Sequence, residues 1–178
     1  YQDGSLHGIY GQRYDASGNS VGSEFQVNTY TSSYQVTSDI TSLLDGGFVV
    51  TWQSSYQDGD EYGIYGQKYD SSGNIAGSEF QVSTSTTGRQ EKSQVTALLD
   101  GGFVVTWQSP HQGGSDYDIY GQRYDQYGNT VNSEFIINAE TNDEQQFPSI
   151  SFLADGGFVA AWASYDQDGS EYGVYGQR

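Results

Sequence analysis

Asp45-Gly46-Gly47-Phe48-Val49-Val50-Thr51-Trp52 returns as Asp100-Gly101-Gly102-Phe103-Val104-Val105-Thr106-Trp107, and again as Asp155-Gly156-Gly157-Phe158-Val159-Ala160-Ala161-Trp162. From Asp45 to Asp100 and from Asp100 to Asp155 is 55 residues each time. An Asp-Gly turn feeding a run of β-branched and aromatic residues signals a hairpin. Side chains alternate along a strand, so Phe48, Val50 and Trp52 share one face and Val49, Thr51 and Gln53 the other. A fixed period of this size means an array of like units.

Working outward from the octad, each period holds three further strand-like segments. Gly8 to Tyr14 recurs at Gly63 to Tyr69, Asp118 to Tyr124 and Gly173 to Arg178. Asp15 to Asn19 then reads as a turn, repeated at Asp70 to Asn74 and Asp125 to Asn129, because Gly and Asn accept positive φ and Asp bonds the backbone two residues on. Ser23 to Asn28 follows, with equivalents Ser78 to Ser83 and Ser133 to Asn138. A Ser/Thr-rich connector leads to Val36 to Leu44, Glu91 to Leu99 and Gln146 to Ala154. No window keeps an apolar stripe at helical spacing, and 24 glycines punctuate the chain throughout.

Four short strands per period predict an all-β fold: a β-propeller-like array of four-stranded antiparallel units. A four-stranded meander cannot bury both faces alone and must stack on its neighbours. Residues 1–178 read as one repeat array, with units at 1–34 (partial), 35–89, 90–144 and 145–178 (partial). Propellers usually carry about four to eight blades, so the expectation is an incomplete ring or one completed by oligomerisation. A stacked solenoid of hairpins and a string of small sandwiches are the alternatives. Tyr1 to Arg13 matches Asp166 to Arg178 three periods on, which reads as an excerpt of a longer array or a processed product.

Six Lys and Arg against 23 Asp and Glu give a formal net charge of −17. That balance argues against nucleic acid and anionic membranes, both of which attract basic patches. Without cysteine there is neither a disulfide framework nor a thiolate metal site, and no apolar run approaches the length of a membrane span.

All three Trp and six of the eight Phe recur at fixed phases, as do seven of the sixteen Tyr. Fixed phases favour an inter-unit core over sugar-stacking platforms, with Trp52, Trp107 and Trp162 buried at equivalent places. Arg13, Lys68, Arg123 and Arg178 share one phase, and Glu24, Glu79 and Glu134 are their expected cross-strand partners. The loops before the Gly-Ile-Tyr strands are rich in Asp and Gly. Calcium takes six to eight hard oxygen ligands, and Gly permits the turn that converges them. Calcium is the expected cofactor, with Asp58, Asp60, Asp166 and Asp168 as ligands; the loop of Gly113 is the weakest copy. His7 and His111 sit in no catalytic motif. Near-identical units offer no unique, asymmetrically tuned carboxyl pair, so no enzyme is expected.

The octad, the Gly-Ile-Tyr-Gly-Gln-Arg-Tyr-Asp strand and turn, and the Gly-Ser-Glu-Phe-Gln-Val-Asn-Thr segment resemble tandem repeats of large secreted bacterial haemolysin-type (RTX-like) calcium-binding or adhesin proteins. The resemblance implies an extracellular or cell-surface setting. The RTX nonapeptide is absent, so its calcium β-roll is not implied. The expected function is a non-catalytic extracellular repeat module, a structural or adhesive platform. A multivalent carbohydrate-binding lectin and a self-assembling ring or filament subunit are the alternatives. Glycans, cell-surface partners and self-association between repeats are the expected partners, with no nucleic acid and no membrane insertion.

Overall fold

The computed structural model describes residues 6–110 and 116–178. Their strands form four antiparallel sheets. The first pairs β1 (Tyr10–Tyr14) with β2 (Ser20–Gln26). The second runs in chain order through β3 (Gln35–Ser42), β4 (Phe48–Ser55), β5 (Tyr62–Tyr69) and β6 (Phe80–Gln81). The third repeats it with β7 (Glu91–Ala97), β8 (Phe103–Pro110), β9 (Tyr117–Tyr124) and β10 (Thr130–Ile136). The fourth holds β11 (Gln145–Phe152), β12 (Phe158–Tyr165) and β13 (Tyr172–Gln177). The expected array of all-β antiparallel units is therefore present, and the sheets do not close into a ring among the described residues.

Burial lies between sheets, where the octad's alternation put it. Ile9 and Val27 pack on Val50, Trp52, Tyr65 and Tyr69 of the second sheet. One junction on, Val49, Ile64 and Val82 meet Val105, Trp107 and Tyr124. Ile119 and Ile137 then meet Ala160 and Trp162. Trp52 and Trp107 are fully buried and Trp162 is 5 % exposed, as expected from their shared phase. Phe48 stacks on Tyr69 and Phe103 on Tyr124, each at 4.7 Å and 10°. Phe25 and Phe80 of the preceding sheets tilt against those pairs.

Phenylalanines of this phase also account for a glycine inside β1, β5 and β9. Gly66 lies opposite Phe80 and Gly121 opposite Phe135. A Cβ on Gly66 would come 2.7 Å from a Phe80 ring carbon, and one on Gly121 2.9 Å from Phe135. The ring covers the bare backbone, and no larger residue fits beneath it.

The strands β3, β7 and β11 are sheet edges that come together along the array. Each carries a bulge at the same phase, where the ladder shifts register and Thr37, Lys92 and Phe147 take φ of 55°, 58° and 56°. A bulge frees a backbone N–H from the ladder. The Lys92 N–H is captured by Gln53 Oε1 at 3.3 Å and the Phe147 N–H by Gln108 Oε1 at 3.0 Å. Each captor belongs to the sheet before.

The expected pairing of the phase-locked cations needs correction. Lys68 lies 3.3 Å from Asp45, Arg123 pairs with Asp100, and Arg178 with Asp155. The cations thus meet the Asp of the octad turn on the opposite neighbouring strand. The register explains this: Val21 and Val131 stand opposite Arg13 and Arg123, which displaces the glutamates along the strand. Arg13 reaches across a junction to the carbonyls of Ser71 and Ser72, and Lys68 to that of Gln126.

Candidate functional site

At the junction of the third and fourth sheets, Asp116, Asp143, Glu144, Tyr165 and Tyr172 line a pocket of about 290 Å³. Its elements converge for backbone reasons. Tyr165 and Tyr172 are a cross-strand pair closing the β12–β13 ladder, with rings 5.1 Å apart at 66°. The Tyr165 N–H donates to the Glu144 carbonyl at 2.9 Å, which draws the start of β11 to the end of β12. Asp143, at φ 60°, turns the chain just before Glu144.

Glu144 is held from two sides. Tyr172 donates its hydroxyl to Oε2 at 2.7 Å, and Gln146 donates its amide to the same oxygen at 2.8 Å. The carboxylate as acceptor is also what pushes the Tyr172 hydroxyl above the ordinary phenol range, with burial adding to it. Carboxyls oriented beside two aromatic rings suit a sugar, whose hydroxyls take hydrogen bonds while its C–H faces lie on rings.

The copies differ at these phases. One period earlier Glu144, Asp143, Asp116 and Tyr165 are Arg89, Gly88, Glu61 and Pro110. At that earlier junction Arg89 reaches Glu91 at 2.8 Å and Glu61 at 3.7 Å, and its guanidinium lies 5.3 Å from the centre of the Tyr62 ring. Two further cavities differ in chemistry. One of about 470 Å³ between β1 and β3 is lined by Ile9, Phe25, Ile40, Phe48 and Val50 among others, without a carboxylate. The other, of about 440 Å³ along β9 and β10, holds a single carboxylate, Glu134.

The expected calcium ligands lie in two separate hairpin loops. Asp58 Oδ2 accepts from Gln81 at 3.2 Å, and Asp60 Oδ2 accepts from the Gly88 N–H at 3.0 Å. Burial, and secondarily the charge of Asp60, raises the Asp58 carboxyl. In the β12–β13 loop the Asp166 N–H donates to the Glu171 carbonyl at 2.6 Å, and Asp168 Oδ1 accepts from Ser170 at 3.1 Å. Among the described residues, no three His, Cys, Asp or Glu side chains gather as a metal-binding group. His111 and the loop of Gly113 lie outside the described residues.

No family model and no curated protein matches this sequence. Solved structures do. An endo-arabinase from Bacteroides thetaiotaomicron VPI-5482 superposes with a TM-score of 0.54 at 12 % identity, over 80 % of this chain and 55 % of its own. An endo-1,4-beta-xylanase from the same organism superposes with a TM-score of 0.52 at 11 % identity, over 86 % of this chain and 56 % of its own. The chain thus spans just over half the length of each. At such identity the likeness is one of fold. It nonetheless overturns two expectations, the non-catalytic module and the exclusion of an enzyme, because this fold is one on which glycoside hydrolases are built.

The pocket residues were not singled out from sequence because the reading followed what the repeats share. The usable signal was the converse. Tyr34, Arg89 and Glu144 occupy one phase with three different chemistries, as do Ser55, Pro110 and Tyr165.

Proposed function

We propose that this is a carbohydrate-active protein, its sheets set in a propeller-like array, that cleaves glycosidic bonds at the pocket of Asp116, Asp143, Glu144, Tyr165 and Tyr172. The observation that carries the reading is a coincidence of place. Among the described residues, the junction lined by three carboxylates and a pair of tyrosine rings is also one where the copies differ, on a fold shared with an endo-arabinase and an endo-1,4-beta-xylanase. Glycoside hydrolysis calls for two carboxyls in different roles, one protonating the leaving oxygen and one acting on the other side of the sugar. Glu144, anchored by Tyr172 and Gln146, is one of these and Asp143 the other. Tyr165 supplies the platform for a sugar ring. The glycan is met outside the cell, in the setting that the repeat resemblance implies.

The test is release of reducing ends from xylan and arabinan oligosaccharides by the full chain. Glu144→Gln and Asp143→Asn should each lower turnover by about 10²-fold or more, with the melting temperature kept. Tyr165→Ala should weaken binding more than turnover. Absence of both turnover and oligosaccharide binding would overturn the proposal.

A further inference from the structure

The first and fourth sheets carry faces that complement each other. Ile9, Ile64 and Ile119 share one phase and are 7, 0 and 0 % exposed, because each packs on the sheet that follows. Val174 holds that phase in β13 and is 84 % exposed. A glycine marks the same strand. Gly11, Gly66 and Gly121 lie under the rings of Phe25, Phe80 and Phe135. A Cβ on Gly176, their equivalent, would meet the Ala160 carbonyl oxygen at 3.2 Å and no phenylalanine among the described residues. At the first sheet the mismatch is the converse. Ile40 is 60 % exposed, whereas Val95 at its phase is 6 % exposed, clustered with Leu43 and Val49 of the sheet before. A cavity of about 470 Å³ lies at Ile40, walled by all of β1 and by Phe48 and Val50.

We propose that a second copy of this chain fills that cavity with its fourth sheet, its β13 replacing β1 beside β2. The two strands carry nearly one sequence, Gly-Ile-Tyr-Gly-Gln-Arg from Gly8 and Gly-Val-Tyr-Gly-Gln-Arg from Gly173. The joint sheet then runs β11, β12, β13 and the second copy's β2, the order seen in the second and third sheets. Phe25 of one copy covers Gly176 of the other, and Val174 takes the place of Ile9. Leu153 and Val159, at the phases of Leu43 and Val49, come to stand over Ile40.

Exchanging β1 for β13 replaces like with like, so the driving force is the burial of Ile40, Leu153 and Val159. β1 is the strand able to leave, because its ladder has a single partner, β2, and a two-stranded sheet is marginal by itself. The count of sheets sets the number of copies. Each copy supplies its second and third sheets whole and shares a joint one, which makes three sheets for one copy and six for two. Six lies within the range of about four to eight blades that closes a ring, and three does not. Two identical head-to-tail junctions related by rotation therefore close the assembly.

Sedimentation equilibrium of the full chain should show a dimer. Salt should strengthen it, because each copy carries a net charge of −17 and screening weakens their repulsion. Val174→Asp and Ile40→Asp each charge one of the two faces at a site exposed in the single chain, so both variants should fold. Each should weaken dimerisation by about 10²-fold or more, since the junction would bury an unpaired carboxylate. Mixing the two variants should restore association, because the intact Val174 face of one meets the intact Ile40 face of the other. Two like faces docked on each other would gain nothing from mixing. Val21 stands opposite Arg13 on β1, the place that Arg178 takes after exchange. A mixture of Val21→Cys and Arg178→Cys chains should therefore form a disulfide-linked pair on mild oxidation.

A chain that stays monomeric across concentration and salt would overturn the proposal, as would a dimer indifferent to both Asp substitutions. Failure of the mixed variants to associate would overturn the head-to-tail arrangement, and absence of the cross-link would overturn the strand exchange. A ladder of larger species would overturn the closed two-copy ring.

Discussion

Glu79, just before β6, accepts from both the backbone N–H and the hydroxyl of Thr29, in the connector after β2, 2.6 and 2.9 Å from one carboxylate oxygen. Glu134 does the same with Thr84, at 2.9 and 3.0 Å. The carboxylate thereby staples each sheet to the connector leaving the sheet before. Hydrogen bonds to a charged acceptor contribute about 1.5–3 kcal/mol. Glu134→Ala should lower unfolding stability by about 1–3 kcal/mol, read by urea denaturation, and Glu134→Gln by less. No change in either would remove the staple from the list of forces holding the junction.

The phenylalanine caps make a second prediction. Gly66→Ala places a methyl where the Phe80 ring lies, so the ring must move or the strands must part. A loss of about 1–3 kcal/mol is expected, in the range of other overpacked sites. In a Phe80→Ala background the same change should cost much less, because the obstacle is gone. Additive effects in that double-mutant cycle would refute the coupling.

Acid should loosen the three Asp-Gly-Asn turns together. The Asn19 side chain, then its backbone N–H, holds the Asp15 carboxyl below its usual range; the Asn129 side chain does so for Asp125, and for Asp70 the Asn74 backbone N–H leads. A depressed carboxyl stabilises the fold above its unfolded value near 3.9 and loses that contribution as pH falls through the folded value. The stability loss should therefore fall below about pH 4, and Asp70→Asn should make it shallower. Carboxyl chemical shifts followed by NMR titration would show the three midpoints directly; values at or above those of a model peptide would contradict the assignment.

The Asp-rich loops carry the calcium expectation to a melt. Asp58 is raised by burial and by its neighbour Asp60, so a bound divalent cation would relieve a real cost. Specific binding predicts a higher midpoint in millimolar calcium than in sodium chloride of equal ionic strength, since only calcium would select the folded form. Equal midpoints would leave Asp58, Asp60, Asp166 and Asp168 as hydrogen-bonded turn residues.

The period, the hairpin turns and the buried tryptophans were readable from the sequence because each depends on local alternation and turn chemistry, which the repeats state several times over. Lys68 was different. Its partner depended on register, which sets Asp45 rather than Glu79 beside it. The pocket was harder still. Asp143 and Glu144 precede β11, Asp116 precedes β9, and Tyr165 and Tyr172 come from facing strands, so only the packing of two sheets unites them. Residues that differ between copies look like drift along a single chain and become a site only across a junction.

The bulge capture has a consequence for how such a chain diversifies. Gln53 and Gln108 each reach forward to one neighbour, and the same phase in the last copy is Ala163. Each of these two seams is therefore sealed by its own fastener, and one can be rewritten without reopening the other. Duplication first multiplies a working seam, then leaves the copies free to be tuned one at a time. A guanidinium between two carboxylates in one and an acidic, tyrosine-walled recess in the next are two outcomes of that freedom, carried side by side in one polypeptide.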